Sequence, residues 1–406
     1  MELYFPLILD GANGTELQNR GFDGSVCTEA WVLDHPDVMR KLQEDYVAAG
    51  SDIVYAPTFG ANRVKLEENG IFNQVGDFNR RLIAISKEAV AGSDALVAGD
   101  IATTGKFLAP VGDVSFDDLY DIYREQAEVM EEAGVDMYAI ETIMTVPDAR
   151  AALLAVKDVS DKPVLVSFTC DENGRTLTGT DVRAAMIIMQ GMGIDAFGLN
   201  CSTGPDEMLE QAKRLRDIAE VPVAIKPNAG LPKTVDGRTV YDCPPEEFAK
   251  HTKEFAELGA CMFGGCCGTG PKHIAALKPA LESFRLRKPE PEHRGKIVCA
   301  TEKDAFILDP GIEAGNVIDC GPDLGERIRK ANRSEAEVIA VRIKEAADLD
   351  EFEMAQYEVR KPLCIVCDDA ALLDEALRLY QGRALYAGDL SDEELVPLAK
   401  RYGLIF

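Results

Sequence analysis

Positive charge is scarce in this chain of 406 residues, because 43 lysine and arginine residues stand against 70 aspartate and glutamate residues, for a formal net charge of −27. A surface with such an excess of carboxylates repels the phosphates of nucleic acids and the head groups of anionic membranes. We therefore expect no nucleic-acid partner and no membrane partner for this protein.

Long hydrophobic segments are also missing. No run approaches the ~20 apolar residues that span a bilayer, and the first ten residues have neither the basic flank nor the cleavage site of a secretory signal. The eleven cysteines lack the dense, regular spacing of a secreted disulfide scaffold, which favours a reducing compartment. We expect a soluble, cytoplasmic protein without disulfide bonds.

Three of the cysteines lie in glycine-containing segments: Cys201 follows Gly198-Leu199-Asn200, and Cys266-Cys267 lie within the run Gly264–Gly270. Structural zinc sites usually have four protein ligands, whereas catalytic sites have three and leave one position for water or substrate. The glycines permit the sharp turn that brings adjacent side chains to one point. These residues predict a catalytic zinc site, although free cysteines also occur as small buried hydrophobes.

Eight short apolar runs alternate with segments of helical periodicity, and this alternation predicts an α/β protein with a (β/α)8 TIM barrel. The predicted strands are Leu7–Leu9, Asp52–Tyr55, Leu96–Ala98, Met137–Ile140, Val164–Phe168, Ala196–Leu199, Val223–Ile225 and Ala260–Phe263. Three of the intervening segments, 117–133, 147–157 and 206–218, begin with the acidic residues or proline typical of a first helical turn.

Polar side chains follow the predicted strands at the point where each one ends. They are Asp10, Thr58, Asp100, Glu141, Thr169, Cys201, Asn228 and Cys266. In a TIM barrel the carboxyl ends of all strands meet at one rim, where reactive residues gather. The sequence therefore predicts that these side chains share one site with the cysteines.

A charged, proline-rich stretch from Arg285 to Arg294 is typical of an exposed linker. We place a domain boundary there, with the barrel in residues 1–288 and a smaller α/β domain in residues 289–406. The smaller domain has predicted strands at 317–318, 338–341, 363–366 and 385–386 and a predicted helix at 372–380.

Several motifs together resemble the homocysteine S-methyltransferase family over residues 1 to about 290. They are Asp10–Thr15, Pro57–Phe59, Glu141–Thr142, Asn200–Ser202, Pro227–Gly230 and Gly264–Thr269. Gly105-Lys106, Ser202–Pro205 and Gly270–Ile274 are more similar to the homocysteine domain of cobalamin-dependent methionine synthase than to the betaine or S-methylmethionine enzymes.

The resemblance implies that Cys201, Cys266 and Cys267 bind zinc and that the sulfur of homocysteine enters as the fourth ligand. It also implies that Asp10 and Glu141 receive the ammonium group of homocysteine. Two carboxylates at one rim suit an ammonium group, but strand-end carboxylates also commonly pair with lysine or arginine.

The remaining candidate substrate residues are Gly11, Ala12, Thr58 and Asn228. Backbone N–H groups of the turn at Gly11 and Ala12 suit the substrate carboxylate. The Asn228 carboxamide, a weak ligand, is a candidate for the fourth zinc position before substrate arrives. Thr58 and Asn228 equally fit roles in loop hydrogen bonding and in a turn.

The predicted activity is methyl transfer to homocysteine, which forms methionine. None of the four histidines lies in the Asp-x-His-x-x-Gly pattern of a cobalamin-binding module, so methylcobalamin is expected on a separate corrinoid protein. Asn13 and Ala102-Thr103 depart from the family pattern near the barrel mouth and leave the donor open. The alternatives are S-methylmethionine or a betaine as donor, or a non-catalytic zinc-binding subunit of a corrinoid complex.

The second domain faintly resembles a fragment of the pterin-binding barrel that follows the homocysteine domain in methionine synthases. Gly321, Val366 and Ala387 stand where that family has pterin-contacting polar residues. The resemblance implies a degenerate fragment, and we expect no folate binding by this domain.

Overall fold

A computed structural model describes residues 4–109, 111–235, 238–282, 284, 293, 295–312 and 314–406. Its backbone contacts divide the chain into two units. The first comprises Met1–Leu177, Asp195–Arg216 and Val221–Pro289, and the second Thr178–Ile194, Asp217–Glu220 and Glu290–Phe406. The predicted boundary at 288/289 and the predicted linker lie outside the described residues, apart from His293.

The strands of the first unit follow the predicted ones closely. They are β1 (Leu7–Ile8), β2 (Ile53–Tyr55), β3 (Leu96–Ala102), β4 (Met137–Ile143), β5 (Val164–Phe168), β6 (Ala196–Asn200), β7 (Val223–Lys226), β8 (Lys233–Val235), β9 (Arg238–Val240) and β10 (Ala260–Phe263). Eight of them form one parallel sheet in the order β1-β10-β7-β6-β5-β4-β3-β2. A parallel bridge from Leu9 to Ile53 joins its two ends, so the predicted (β/α)8 TIM barrel is confirmed.

Helices connect the barrel strands along the chain. They are α1 (Gly14–Asn19), α2 (Thr28–Asp34), α3 (Pro36–Ala49), α4 (Arg63–Glu68), α5 (Val75–Val90), α6 (Phe116–Ala133), α7 (Val146–Val159), α8 (Val182–Gly191), α9 (Pro205–Leu215), α10 (Pro245–Phe248), α11 (Thr252–Glu257) and α12 (Pro271–Leu281). Proline occupies the first turn of α3, α7, α9 and α12, where its fixed φ suits a helix start. Helix α8 belongs to the second unit by its contacts.

Buried side chains fill the interior of the barrel. Leu7, Leu9, Ile53, Leu165 and Met262 belong to one core cluster to which most of the barrel strands contribute. Parallel strands buried on both faces read as continuous hydrophobic runs, which explains why these strands are readable from sequence. Because side chains pack the interior, space for a ligand is left at the carboxyl ends of the strands.

An antiparallel hairpin formed by β8 and β9 follows β7 and was not predicted from the sequence. Its described side chains are exposed on both faces, and Val235 and Val240 are among them. Strand prediction rests on a face that packs against a core, and this hairpin has no such face among its described side chains.

The second unit contains two sheets. The antiparallel pair β11 (Ile297–Ala300) and β12 (Ala305–Leu308) was not predicted. The parallel sheet consists of β13 (Ile318–Asp319), β14 (Ile339–Arg342), β15 (Leu363–Val366) and β16 (Leu385–Ala387), each within about a residue or two of its predicted position. Its further helices are α13 (Leu324–Ala331), α14 (Ala347–Ala355), α15 (Ala370–Leu379) and α16 (Asp392–Tyr402).

Two single 3-10 turns complete the described elements, at Ala249–His251 and Gln356–Glu358. Among the helices that the structure describes, none is both long enough and apolar enough to cross a membrane.

Candidate metal and substrate site

The three cysteines singled out in the sequence converge. The Sγ atoms of Cys201, Cys266 and Cys267 all lie within 4.8 Å of one another, and those of Cys201 and Cys267 are 3.9 Å apart. Tetrahedral zinc with Zn–S bonds of ~2.3 Å requires sulfur–sulfur separations of about 3.8 Å. The spacing and the soft thiol donors therefore fit a zinc ion.

Local backbone geometry explains how Cys201 turns toward the pair. Cys201 and Ser202, just after β6, have φ values of 62° and 60°, in the left-handed region that non-glycine residues rarely adopt. The carbonyl oxygen of Lys226 accepts a hydrogen bond from the Cys201 N–H at 3.2 Å. Such strained positions persist where the surrounding structure holds them, and they cluster at functional sites.

The turn that carries the cysteine pair depends on Gly268. This residue has a φ of 81°, and a Cβ placed on it would lie 2.3 Å from the Cβ of Tyr241. Cys266 N–H donates to the Pro227 carbonyl at 2.8 Å, and Ala229 N–H donates to the Cys267 carbonyl at 2.9 Å. The loop after β7 thus positions the cysteine pair through its backbone.

Asn228 lies in that same loop. Its N–H donates to the Thr203 carbonyl at 3.0 Å, and its buried Oδ1 has no hydrogen-bond partner among the described residues. A buried carboxamide oxygen without a partner is suitable as a weak metal ligand. Its role as the fourth ligand stays a prediction.

Hydrogen bonds within the cluster shift the pKa values of the thiols in opposite directions. Those from Cys201 and Cys266 lower the pKa of Cys267, whereas those to Cys201 and Cys267 raise the pKa of Cys266. Cys267 is therefore the first of the three to ionise. A metal that binds all three as thiolates releases the remaining protons.

A cavity of about 300 Å³ opens beside the cysteines at the carboxyl ends of the strands. Its lining residues are Asp10, Gly11, Ala12, Asn13, Gly14, Thr15, Thr28, Glu29, Tyr55, Pro57, Phe59, Asp100, Glu141, Thr142, Cys201, Lys226, Gly265, Cys266 and Cys267. The structure therefore brings together seven of the nine predicted site residues. The other two, Thr58 and Asn228, are not among those lining residues.

Lys226, the last residue of β7, was missed in the sequence and lies between the two predicted ammonium-binding carboxylates. Its Nζ is 3.2 Å from Asp10 Oδ1 and 3.4 Å from Glu141 Oε2. The same atom lies 3.5 Å from the centroid of the Tyr55 ring, which adds a cation–π contact. All three charged side chains are almost fully buried.

Burial and charge oppose each other in this group. Burial raises the pKa of Asp10 to about 6, although Lys226 and the N–H of Tyr55 work against the shift. Burial also disfavours the charged form of Lys226, but Glu141, Tyr55 and Asp10 outweigh it and hold the lysine pKa above its usual range. Lys226 is therefore a permanent cation of the cavity at neutral pH.

Two predicted substrate residues already have protein partners. The Thr58 hydroxyl donates to the Asp100 carbonyl at 2.8 Å and accepts the Asp100 N–H at 3.1 Å, which ties the loop after β2 to β3. The Ala12 N–H is directed to the carbonyl and the hydroxyl of Thr269, at 3.1 and 3.2 Å. Both substrate roles stay predictions.

Three polar atoms of the cavity residues are buried without a hydrogen-bond partner among the described residues. They are Asn13 Oδ1, the Tyr55 hydroxyl oxygen and Asp100 Oδ1. Buried polar groups are normally hydrogen-bonded, so these three atoms are available to a polar ligand of the cavity. The cavity is therefore equipped to accept hydrogen bonds.

Over residues 7–281 the sequence matches the family model described as homocysteine S-methyltransferase. The chain belongs to the homocysteine S-methyltransferase family. This confirms the resemblance seen in the motifs and covers the whole barrel from β1 to α12.

Two curated relatives are named methionine synthase. The protein from Mycobacterium leprae (strain TN) is 32% identical over 296 residues, and that from Mycobacterium tuberculosis (strain ATCC 25618 / H37Rv) is 32% identical over 303 residues. The alignments cover 68% and 70% of this chain but 24% and 25% of those proteins. The chain thus spans about a quarter of the length of these relatives.

Among solved structures, the homocysteine methyltransferase MmuM from Escherichia coli has the same fold. Its metallated form superposes with a TM-score of 0.58 at 24% identity, covering 67% of this chain and 95% of that chain. Its apo form gives a TM-score of 0.53 at 23% identity.

Lys226, Tyr55 and Asn200 lie at the site but were not predicted from the sequence as site residues. The Asn200 Nδ2 donates to the Thr142 hydroxyl at 2.7 Å and lies 3.9 Å from the Cys266 sulfur. A lysine at the end of a buried strand could have indicated a buried ion pair, because lysine is almost never fully buried unless it is paired.

Proposed function

We propose that this protein is a zinc-dependent methyltransferase that moves a methyl group to the thiol of homocysteine and so forms methionine. The observation that carries the proposal is the convergence of Cys201, Cys266 and Cys267 at a cavity that also contains Asp10 and Glu141. Membership of the homocysteine S-methyltransferase family supports the same acceptor.

Cys201, Cys266 and Cys267 would hold the metal at the cavity. Bound there, zinc supplies a Lewis acid that lowers the pKa of a substrate thiol at neutral pH. Asp10 and Glu141 bind the ammonium group of the amino acid and so orient it. The packed interior of the barrel excludes water from the closed end of the cavity. Fixed orientation brings the sulfur into line with the methyl carbon.

In the reaction the substrate sulfur attacks the methyl carbon. The new S–C bond forms as the bond between the methyl carbon and its donor breaks, and the bonding electrons leave with the donor. The thiol proton is released to solvent. The site therefore needs an electrophilic methyl group but no residue that acts as a general base during transfer.

We propose methylcobalamin carried by a corrinoid protein as the donor. The similarity to two proteins named methionine synthase supports this choice. Assays with methylcobalamin, free or protein-bound, test it against S-methylmethionine and a betaine. Turnover of homocysteine with S-methylmethionine alone would overturn the corrinoid donor.

The zinc site is tested by Cys266→Ala. This variant is expected to lose bound zinc, measured by elemental analysis, together with all methyl transfer, because a catalytic zinc site needs three protein ligands and the variant retains two of the cysteines. Cys261→Ala is the matched control, since Cys261 is buried in β10 outside the cluster, and it should keep both properties. A metal-free Cys266→Ala protein with full activity would refute the proposal.

A further inference from the structure

The hairpin β8–β9 interrupts the loop after β7 and returns the chain to the cysteines. The chain leaves this loop after Ala229 and comes back at Cys243, whose N–H donates to the Ala229 carbonyl at 3.0 Å. The Ala229 N–H in turn donates to the Cys267 carbonyl at 2.9 Å. The segments that carry Cys267, Ala229 and Cys243 therefore lie side by side, and Tyr241 is the first residue after β9.

A histidine of α12 also holds the returning segment. The Gly270 N–H donates to His273 Nδ1 at 3.1 Å, and His273 Nε2 lies 3.0 Å from the Cys243 carbonyl oxygen. Because Nδ1 accepts a hydrogen bond, the proton of the neutral ring resides on Nε2, which donates it to that carbonyl. His273 thus fixes Cys243, and with it the position of Tyr241.

The side chain of Tyr241 lies against the turn that carries the cysteine pair. A Cβ placed on Gly268 would be 2.3 Å from the Cβ of Tyr241 and 2.5 Å from its Cγ, so the ring fits there because Gly268 has no side chain. The hydroxyl of Tyr241 is hydrogen-bonded to the sulfur of Cys267. A tyrosine hydroxyl keeps its proton at neutral pH, so the hydroxyl is the donor and the sulfur is the acceptor.

Hydrogen-bond donors of the protein thus reach both sulfurs of the cysteine pair. Asn200 Nδ2 lies 3.9 Å from Cys266 Sγ, and the Tyr241 hydroxyl serves Cys267. Three thiolates bring more negative charge to a zinc site than one dication neutralises. Charge-assisted hydrogen bonds to the sulfurs offset part of that excess.

We propose that Tyr241 is a positioning residue of the zinc site, whose hydroxyl donates a hydrogen bond to the Cys267 thiolate and holds this ligand in the orientation that the metal requires. The inference rests on the proposed function, because it concerns the same zinc ion. Groups that hydrogen-bond to metal ligands orient them and tune their donor strength. The hairpin β8–β9 then serves the site, because it returns the chain to the point where Tyr241 reaches Cys267.

The test is Tyr241→Phe, which keeps the ring over Gly268 and removes only the hydroxyl. The zinc affinity of the purified protein, measured by competition with a chromophoric chelator, should fall by about 10- to 100-fold. Tyr120→Phe is the matched control, because the Tyr120 hydroxyl donates to Asp158 at 2.7 Å and Tyr120 does not line the cavity. The control should bind zinc as wild type does.

Cobalt(II) in place of zinc gives a readout that a purely structural role would not change. A thiolate that loses a hydrogen bond gives up its electrons more readily, so the sulfur-to-cobalt charge-transfer band of Tyr241→Phe should move to longer wavelength. The metal-free variant should melt at the temperature of the metal-free wild type, because the packing of the ring is kept. A lower melting temperature with an unchanged cobalt spectrum indicates a structural role only and contradicts the inference.

Equal zinc affinity and equal cobalt spectra of wild type and Tyr241→Phe overturn the inference. A crystal structure of the zinc-loaded wild type in which the Tyr241 hydroxyl is directed away from the Cys267 sulfur overturns it as well, and this measurement depends on no variant. A wild-type protein that binds no zinc refutes the proposed function together with the inference that rests on it. The two failures are therefore distinct.

Discussion

Buried charged side chains dominate this site at the scale of single residues. Asp10, Glu141 and Lys226 form a compact ionic group whose members lie at the ends of three different barrel strands or within them. Removing one partner from such a group is strongly destabilising, because the remaining charges have already lost their hydration.

Asp148 shows the energetic consequence of burying a carboxyl group. It is fully buried at the start of α7, and the Tyr123 hydroxyl donates to its Oδ1. Burial raises the pKa of Asp148 to about 6 from a model-compound value of 3.8. Between these two pH values the folded protein binds more protons at this site than the unfolded chain does.

We expect Asp148→Asn to change the pH dependence of stability. The contribution of Asp148 to the free energy of unfolding is fully present below about pH 4. It is lost as the pH rises through about 6, because the pKa of Asp148 is higher in the folded protein than in the unfolded chain. Relative to the variant, the wild-type free energy of unfolding should fall by about 2 to 3 kcal/mol between pH 4 and pH 7. Urea denaturation at several pH values measures it, and parallel curves for the two proteins would contradict it.

At the scale of elements, α6 shows how local sequence sets a helix boundary. The Ser115 hydroxyl accepts the Asp118 N–H at 3.1 Å, and the Asp118 carboxylate accepts the Ser115 N–H at 2.9 Å, which is a capping box. Gly134 ends the helix with a φ of 75°, a conformation that glycine adopts without strain. Both signals are short-range, so the observed bounds lie close to the predicted ones.

The capping box predicts a measurable effect on stability. Ser115→Ala should lower the free energy of unfolding by about 1 kcal/mol, since the first turn loses an acceptor for its N–H group. Ser115→Thr keeps a hydroxyl at the same position and serves as the control. Thermal or urea unfolding of both variants measures the difference, and an alanine variant as stable as the threonine variant would argue against the cap.

At the scale of the whole molecule, metal binding is expected to couple to folding. A ligand that binds only the folded chain stabilises it by about 2.7 kcal/mol at a hundredfold excess over its Kd. Zinc-loaded protein should therefore melt at a higher temperature than chelator-treated protein, and Cys266→Ala should show no such difference. Calorimetry of the four samples tests this, and identical melting of the two wild-type samples speaks against a zinc site.

The match to the homocysteine S-methyltransferase family ends at residue 281. The second unit comprises Glu290–Phe406 together with the two short segments Thr178–Ile194 and Asp217–Glu220. Its four parallel strands lie close to where the sequence predicted them. Its interpretation as a degenerate pterin-binding fragment stays a prediction. The hairpin β11–β12 was missed because its strands are only partly buried and carry no clear alternation.

The sequence by itself determined the barrel strands and the cysteine cluster. Continuous apolar runs mark buried parallel strands, and the rule that strand ends share one rim brings Cys201 to Cys266 and Cys267 without any knowledge of side-chain packing. The same rule predicted that Asp10 and Glu141 lie at this rim, where the cavity is.

Only the tertiary structure decided what those two carboxylates contact. Lys226 is separated from Asp10 by 216 positions and from Glu141 by 85, and its contacts arise because β1, β4 and β7 belong to one curved sheet. Strand periodicity gives the face on which a side chain lies but not its partner across the barrel, which is set by strand order and register. The acidic pair was therefore predictable, whereas the pairing of Lys226 with both carboxylates was not.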